Sequence, residues 1–478
     1  MSPLVVILVP LLAALGVMLG AGRQRATVVL VGTAFVTTAL ALIEVLSVPS
    51  TQATFGGLVR VDATSRLFLA LVNPIFLGIA TYIWHRVRTT PALLEGIAGV
   101  VWLSLVFLAS TNALLIANHL LGLWVLLELT ALVATPLIVR PRAEAARRAA
   151  FRYLLFSTVG LGLVALGLAC LARGMEASGL APTFQLDRLQ ALRPLPHEAW
   201  TKLGLALALL GIGTKLGLAP MYSWLPETYD EAPPAVAALL GAVQFNAALV
   251  VLFRIVQIYR ADNAALVAGQ LLAMGLVSMV VSTVSIIATR NIKRLIAYAS
   301  INHAGVIAIG LGVGGSATYG LLLYVLSNAF IKAILFLTAG KIMAHYKTND
   351  TRVISGLIKD LPYSGVFLMV GTIALLGFPP FGSFLGELLI LSALVGSGRM
   401  LTFAAFCTLI TMTFVATGRT VFPMIWGPSK EKHDWPRQTL PAALPKLTFL
   451  AALVVLGVYI PPAFNALIQQ VAASLEGP

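Results

Sequence analysis

Residues 119–139 read HLLGLWVLLELTALVATPLIV, an apolar run with a single carboxylate, Glu128, close to its middle. As a helix rising 1.5 Å per residue this run is about 30 Å long, the thickness of a bilayer's hydrocarbon core. A charge at that depth costs at least about 2.5 to 3.5 kcal/mol, and a segment that had only to span would carry leucine there. Glu128 therefore marks a membrane helix with a task beyond spanning.

The rest of the chain has the same character. Of its 478 residues, 59% are hydrophobic and 10% charged, and the mean hydropathy is +0.94. These values exclude a soluble domain and specify an all-α polytopic membrane protein. Runs of spanning length fall near 3–20, 25–46, 66–84, 92–110, 114–139, 151–172, 200–220, 234–259, 263–288, 293–313, 316–344, 362–395, 400–425 and 446–470, about fourteen transmembrane helices. The net charge of +14 does not indicate nucleic acid, because the basic residues gather in alternate loops. Arg23, Arg25, Arg86, Arg88, the cluster Arg140, Arg142, Arg147, Arg148 and Arg152, and Arg290, Lys293 and Arg294 mark the cytoplasmic side, which sets both termini outside. The N-terminal MSPLVVILVPLLAALGVMLG lacks a basic leader and reads as a first span rather than a cleaved signal. Cys170 and Cys407 sit in separate apolar runs without metal-ligand spacing and read as inert core residues.

Two runs are interrupted in the same way: GTKLGLAPMYSWLPETYDEAPP (213–234), with Pro220 at its break, and GFPPFGSFLGELLIL (377–391), with Pro379 and Pro380. A helix broken at membrane depth is tolerated only inside protein or beside a wet cavity. Two such breaks five spans apart are the mark of inverted repeats with ion sites at the breaks. The chain accordingly divides into N-terminal helices (1–91), a first five-helix inverted repeat (92–260, spans four to eight), a second (261–426, spans nine to thirteen) and a linker with the last span (427–478). Connection 173–199 is too short to fold alone and is expected to lie as a short amphipathic helix on the outer surface.

The ionisable residues inside the runs are few: Glu128, Lys215, Arg254, His303, Lys332 and Glu387. Arg254 is expected to reach out to the interface, and a core histidine with a hydrogen-bond partner is an equal reading of His303. For the other four, plain ion pairing is a weak rationale, because buried ion pairs stabilise poorly; transport is the better one. A neighbouring charge 10 Å away at an effective dielectric of 20 is worth about 1.7 kcal/mol. Moving or neutralising it is enough to switch the proton occupancy of a buried lysine, so Glu128 is expected to govern Lys215.

At these residues the sequence resembles the antiporter-like membrane subunits shared by respiratory complex I, membrane-bound hydrogenases and multisubunit cation/proton antiporters. The resemblance is carried by LWVLLELTALVATPLI, TKLGLAPMYSWLPETYDEAPP, RNIKRLIAYASINHAG, NAFIKAILFLTAG and GFPPFGSFLGELLIL, in the family's order between about 100 and 425. It implies fourteen spans with two inverted five-helix repeats. It also implies roles for Glu128 as the span-five glutamate, Lys215 as the span-seven lysine, Lys332 as the span-eleven lysine and Glu387 as the span-twelve titratable group. The run GKIMAHYKTND followed by VISGLIKDLP is most similar to the hydrogenase-linked branch, the hydrogenase-4 (formate hydrogenlyase) type. Two positions depart from the pattern: Asn246 stands where many members carry a span-eight lysine, and Asn328 where many have a histidine.

The expected function is proton translocation within a redox-driven complex of hydrogenase or NADH:quinone oxidoreductase type, in a bacterial or archaeal cytoplasmic membrane. The relay would be Glu128, Lys215, His303, Lys332 and Glu387, with Asn246 and Asn328 ordering water; Asn246 and His303 are expected to line one hydrated gap. No cofactor or metal is expected on this chain, since it has no cysteine cluster or nucleotide loop, so electrons would be handled by partner membrane subunits. A subunit of a sodium/proton antiporter and a non-pumping scaffold are the alternatives.

Overall fold

The structure, a computed structural model, describes residues 3–20, 22–46, 53–90, 94–140, 143–192, 195, 198–429 and 440–476. Arg142 and the middle of the polar linker, 430–439, lie outside the described residues. The apolar runs fold as helices because a backbone away from water must satisfy its own donors and acceptors. They are α1 (Val5–Met18), α2 (Arg23–Leu46), α3 (Ala63–Thr89), α4 (Ile97–Ile116), α5 (Leu120–Ile138), α6 (Glu144–Ala177), α7 (Leu186–Ala191), α8 (Glu198–Leu216), α9 (Trp224–Glu231), α10 (Pro234–Ala238), α11 (Phe245–Ala288), α12 (Ile292–Val313), α13 (Ser316–Tyr346), α14 (Leu357–Asp360), α15 (Pro362–Leu375), α16 (Gly382–Gly396), α17 (Met400–Trp426), α18 (Leu440–Val458) and α19 (Pro462–Glu476). Between α10 and α11 the chain continues through a π-helical segment, Leu239–Gln244. Among the described residues β-pairing is limited to isolated bridges such as His119 with Gln185 and Asn291 with Asp350.

Nine of the described helices are long and apolar enough to cross a bilayer, ten if the bent pair at the C-terminal end counts as one. The core is centred on α12 and α13, whose most apolar windows are 89% and 94% buried, against 17% for α17 at the rim. Three boundaries differ from the sequence expectation. The runs 234–259 and 263–288 are joined without a loop, meeting at a kink where Asn263 leaves the helical region. The last run is not one straight span: α18 and α19 meet at 74°, because Pro461 and Pro462 remove two backbone donors in succession. In the connection 173–199, α6 persists to Ala177 and α8 begins at Glu198; among the described residues between them the six of α7 are helical, with its Leu186 and Leu189 buried. Cys170 and Cys407 are free and half-exposed rather than core.

Helices that carry polar groups need close, fixed neighbours, and glycine supplies them. On α6 and α8, a Cβ at Gly211 would stand 2.4 Å from the Gly160 carbonyl oxygen and one at Gly167 would stand 2.6 Å from that of Gly204. The second half repeats the arrangement on α13 and α16, where a Cβ at Gly386 would stand 2.7 Å from the Gly320 carbonyl oxygen. Backbones in contact this closely are the usual solution where lipid offers no hydrophobic drive to association.

Candidate functional site

Two helix breaks lie beside the buried charged groups, one following Lys215 and the other against Glu387. After α8, Gly217 turns the chain at a φ of +73° and the Ala219–Pro220 bond is cis. The loop's polar backbone is re-satisfied by side chains: Trp224 Nε1 donates to the Thr214 carbonyl at 2.9 Å, and Ala219 N–H donates to Ser278 Oγ at 2.8 Å. After α15, Gly377 turns the chain at +67°, the Pro379–Pro380 bond is cis, and Ser383 Oγ donates to the Ala374 carbonyl at 2.7 Å. Pro220, Pro379 and Pro380 thus all lie in breaks between helices. Helix α9, just past the first break, carries Glu227, Asp230 and Glu231, which pair with Arg152, Arg294 and Arg140. Those arginines, which the sequence marks as indicators of topology, also anchor the broken helix.

The first cluster of polar groups lies where α5, α6 and α8 meet. Lys215 is buried, and its ammonium donates to Ser157 Oγ at 2.6 Å and to the Tyr153 hydroxyl at 3.4 Å. Tyr153 in turn donates to Gln244 Oε1 at 2.8 Å, and Gln244 Nε2 donates to Thr130 Oγ1 at 3.1 Å. Glu128 is half-buried; its Oε1 accepts from Thr158 Oγ1 at 2.7 Å while Oε2 is buried without a partner. Glu128 and Lys215 form no direct ion pair. Consecutive hydroxyls of α6, Ser157 and Thr158, hold one charge each, and the two interact through space.

The second cluster is at α11, α12, α13 and α16. Lys332 is completely buried, its Nζ has no hydrogen-bond partner, and it stands 3.6 Å from the centroid of the Phe245 ring. Its stem passes over Gly241 of the π segment, where a Cβ would be 3.7 Å from Lys332 Cδ. His303 Nδ1 bonds the Tyr324 hydroxyl, and the Glu387 carboxyl reaches the same hydroxyl. Glu387 also packs on the second break: a Cβ at Gly377 would be 2.2 Å from its Oε2, so the turn and the carboxylate both demand glycine there. His303, Glu387, Asn302 and Thr413 line a recess of about 20 Å³, room for about one water.

Asn246 and Asn328 are buried, each with an unpartnered side-chain oxygen. Asn246 Nδ2 is spent on the Ala242 carbonyl at 2.7 Å, and Asn246 is not among the residues lining the His303 recess. Asn246 and His303 therefore do not share this recess. Arg254 departs from the sequence expectation. It is buried, not snorkelled, and forks onto Asp62, because Asp62 caps α3 at the same depth. Burial pushes the Asp62 carboxyl up, but the guanidinium outweighs it and holds the group at about 2. Among the described residues no three His, Cys, Asp or Glu side chains converge as a metal site would need.

Tyr153, Ser157, Gln244 and Tyr324 belong to these polar clusters and are not singled out by sequence reasoning. Tyr153 and Ser157 share one face of α6 at i, i+4, a signal available in FRYLLFSTVG. Gln244 owes its position to the π segment, whose extra residue per turn rotates the following face.

Residues 117–413 match the family described as NADH:quinone oxidoreductase/Mrp antiporter, transmembrane. The hydrogenase-4 component F homolog of Methylacidiphilum infernorum is 33% identical over 262 residues, 54% of this chain and 54% of that protein. The chain spans about half the length of the curated relatives it matches. A chain of the membrane-bound sulfane sulfur reductase, an archaeal respiratory membrane complex, superposes with a TM-score of 0.88 at 22% identity, covering 99% of this chain and 97% of that one. A chain of the Mrp complex from a Dietzia species superposes with a TM-score of 0.86 at 20% identity, with the same coverage. At these identities the likeness is one of fold alone. More than half of the chain lies within the family match, and it therefore belongs to the NADH:quinone oxidoreductase/Mrp antiporter transmembrane family.

Proposed function

We propose that this chain is the proton-translocating subunit of a redox-driven membrane complex, relaying protons through Glu128, Lys215, His303, Lys332 and Glu387. Asn246 and Asn328 order water between the charged groups. One observation carries the reading: Lys332 holds an amine in the centre of the bundle with no protein hydrogen-bond partner. A structural lysine would be paired, and a merely packed position would be apolar. The amine gains and releases a proton as the charge around it changes. The polar run from Lys215 through Tyr153 and Gln244 to Thr130 extends toward the π segment on which Lys332 lies.

In this reading the chain crosses the membrane fourteen times, the long helix ending at Ala288 counting twice, the broken pair α15 and α16 once, and α18 with α19 once. Spans four to eight and nine to thirteen form two inverted repeats, with both termini outside the cytoplasmic membrane. Electrons are handled by partner subunits, of hydrogenase type, as the name of the Methylacidiphilum relative suggests. The family's description, which names an antiporter beside the quinone oxidoreductase, favours one rival, a sodium/proton antiporter subunit.

The test is proton uptake per electron in inverted vesicles holding the assembled complex. Uptake tied to electron flow and abolished by Lys215→Ala is expected. Sodium/proton exchange without electron transfer would favour the antiporter, and an unchanged ratio in a normally assembled Lys215→Ala variant would leave only a scaffold.

A further inference from the structure

A feature outside the charged relay points to a second kind of ligand. Helix α3 packs against both α2 and α18, and the three leave a space on one side. Between them runs an apolar groove of about 900 Å³, walled by Phe35 and Gly32 of α2, Pro74 and Leu77 of α3, and Phe449 of α18. Phe449 forms the floor because Gly78 lets it approach: a Cβ there would be 2.2 Å from its ring. Gly32, by contrast, faces open space, with nothing within 4 Å of where its Cβ would be.

At the end of the groove where the basic residues of α2 and α3 lie, the surroundings change. A second recess of about 640 Å³ opens there, sharing Val28 and Trp84 with the groove and lined further by Gln24, Arg25 and Arg88. Arg88 lies 4.4 Å over the Trp84 ring, so its guanidinium is held on an aromatic face at the mouth. Neither Arg25 nor Arg88 pairs with a carboxylate among the described residues.

We propose that this groove and its basic mouth form a binding site for one acidic phospholipid, acyl chains along α2, α3 and α18 and the phosphate between Arg25 and Arg88. The charge pattern selects this occupant. An apolar helix of a partner protein would fill the groove but leave two guanidinium groups unanswered at its mouth, whereas a phosphodiester on two hydrocarbon chains answers both halves. Basic pockets between membrane helices hold anionic head groups in this way, and aromatic rings fix the head-group level. The site is distant in kind from the relay: it involves none of the residues assigned to proton movement.

The experiment uses the full chain in nanodiscs, with native mass spectrometry reading the lipid retained. The probe is dioleoylphosphatidylglycerol competed against dioleoylphosphatidylcholine. Preferential retention of one phosphatidylglycerol is expected. Each of Arg25→Gln and Arg88→Gln should weaken it about fivefold, the fold-change matching roughly 1 kcal/mol per basic residue at a membrane surface. Gly32→Phe, which fills open space, should abolish retention while leaving the melting temperature and Lys332 chemistry unaltered. Excess sn-glycerol 3-phosphate should not displace the lipid; displacement would mean a soluble anion site and overturn the proposal. Equal retention of both lipids, or indifference to Gly32→Phe in a normally folded variant, would also overturn it. So would efficient crosslinking of Val28→Cys to a neighbouring subunit in the assembled complex, since the groove would then hold protein.

Discussion

Replacing Lys332 by methionine separates a structural from a functional lysine. The amine is buried without a hydrogen-bond partner, a situation that costs about 1–3 kcal/mol. The Phe245 ring at 3.6 Å offsets about 0.5–2 kcal/mol of that. Methionine retains the straight stem that lies over Gly241 and nearly the same volume, so packing changes little. The balance favours the variant by about 1 kcal/mol, roughly fivefold in the folded-to-unfolded ratio. Unfolding of the full chain in one detergent measures the first quantity, and protons taken up per electron by vesicles with the assembled complex measures the second. Lys332→Met is expected to be as stable as the wild type or slightly more so, and to translocate nothing. A loss of more than about 1 kcal/mol would show that the amine stabilises the bundle, and wild-type proton uptake would refute its place in the relay.

Three further outcomes are expected. Glu128→Gln, isosteric and still able to accept from Thr158, should insert normally and lose coupled proton uptake; wild-type stoichiometry would remove Glu128 from the path. Asn246→Leu should stop translocation by stripping the unpartnered amide oxygen, with assembly checked by the yield of purified complex. Asp62→Asn should lower stability at neutral pH by about 2 kcal/mol, from a carboxyl depressed from 3.8 to about 2 at about 1.36 kcal/mol per unit. A depressed carboxyl stabilises above its ordinary value, and that contribution fades as pH falls through the window from about 4 to 2. The wild type's advantage over Asp62→Asn in thermal melts should therefore shrink as pH is lowered from 5 to 3; a constant gap would mean that Arg254 does not hold Asp62 charged.

Much of this architecture is legible in the sequence because membrane burial leaves coarse marks. Apolar length locates the helices, and Pro220, Pro379 and Pro380 locate both breaks, since proline and glycine clustered at spanning depth interrupt the helical hydrogen-bond ladder. The bend between α18 and α19 carries the same kind of signal in Gly457, Pro461 and Pro462, but the apolar residues on both sides of it let length alone read the run as one span. The π segment is hidden for a different reason. LLGAVQ has no residue type that favours a wide turn, and the side chains that pack over its Gly241, Phe336 and Lys332, come from a helix about ninety residues away in sequence, beyond the reach of local pattern. Arg254 is misplaced by sequence reasoning because its partner, Asp62, is 192 residues away, beyond the reach of local pattern.

The glycine contacts between α6 and α8 bear on how any signal can act. Gly160 and Gly211 touch backbone to backbone, so these two helices cross at the closest separation their backbones allow, and tilting one against the other there would bring main-chain atoms into collision. Ser157 lies within a turn of that crossing, and Lys215 one turn beyond it on the other helix. Their 2.6 Å contact is consequently a fixed gauge, insensitive to rocking of the bundle. In the proposed relay a change in the lysine's proton occupancy would then reach it as an altered field from α5, where Glu128 is seated against Thr158, rather than as a mechanical stroke. The moving part in this half of the bundle would be charge, carried on a frame that stays still.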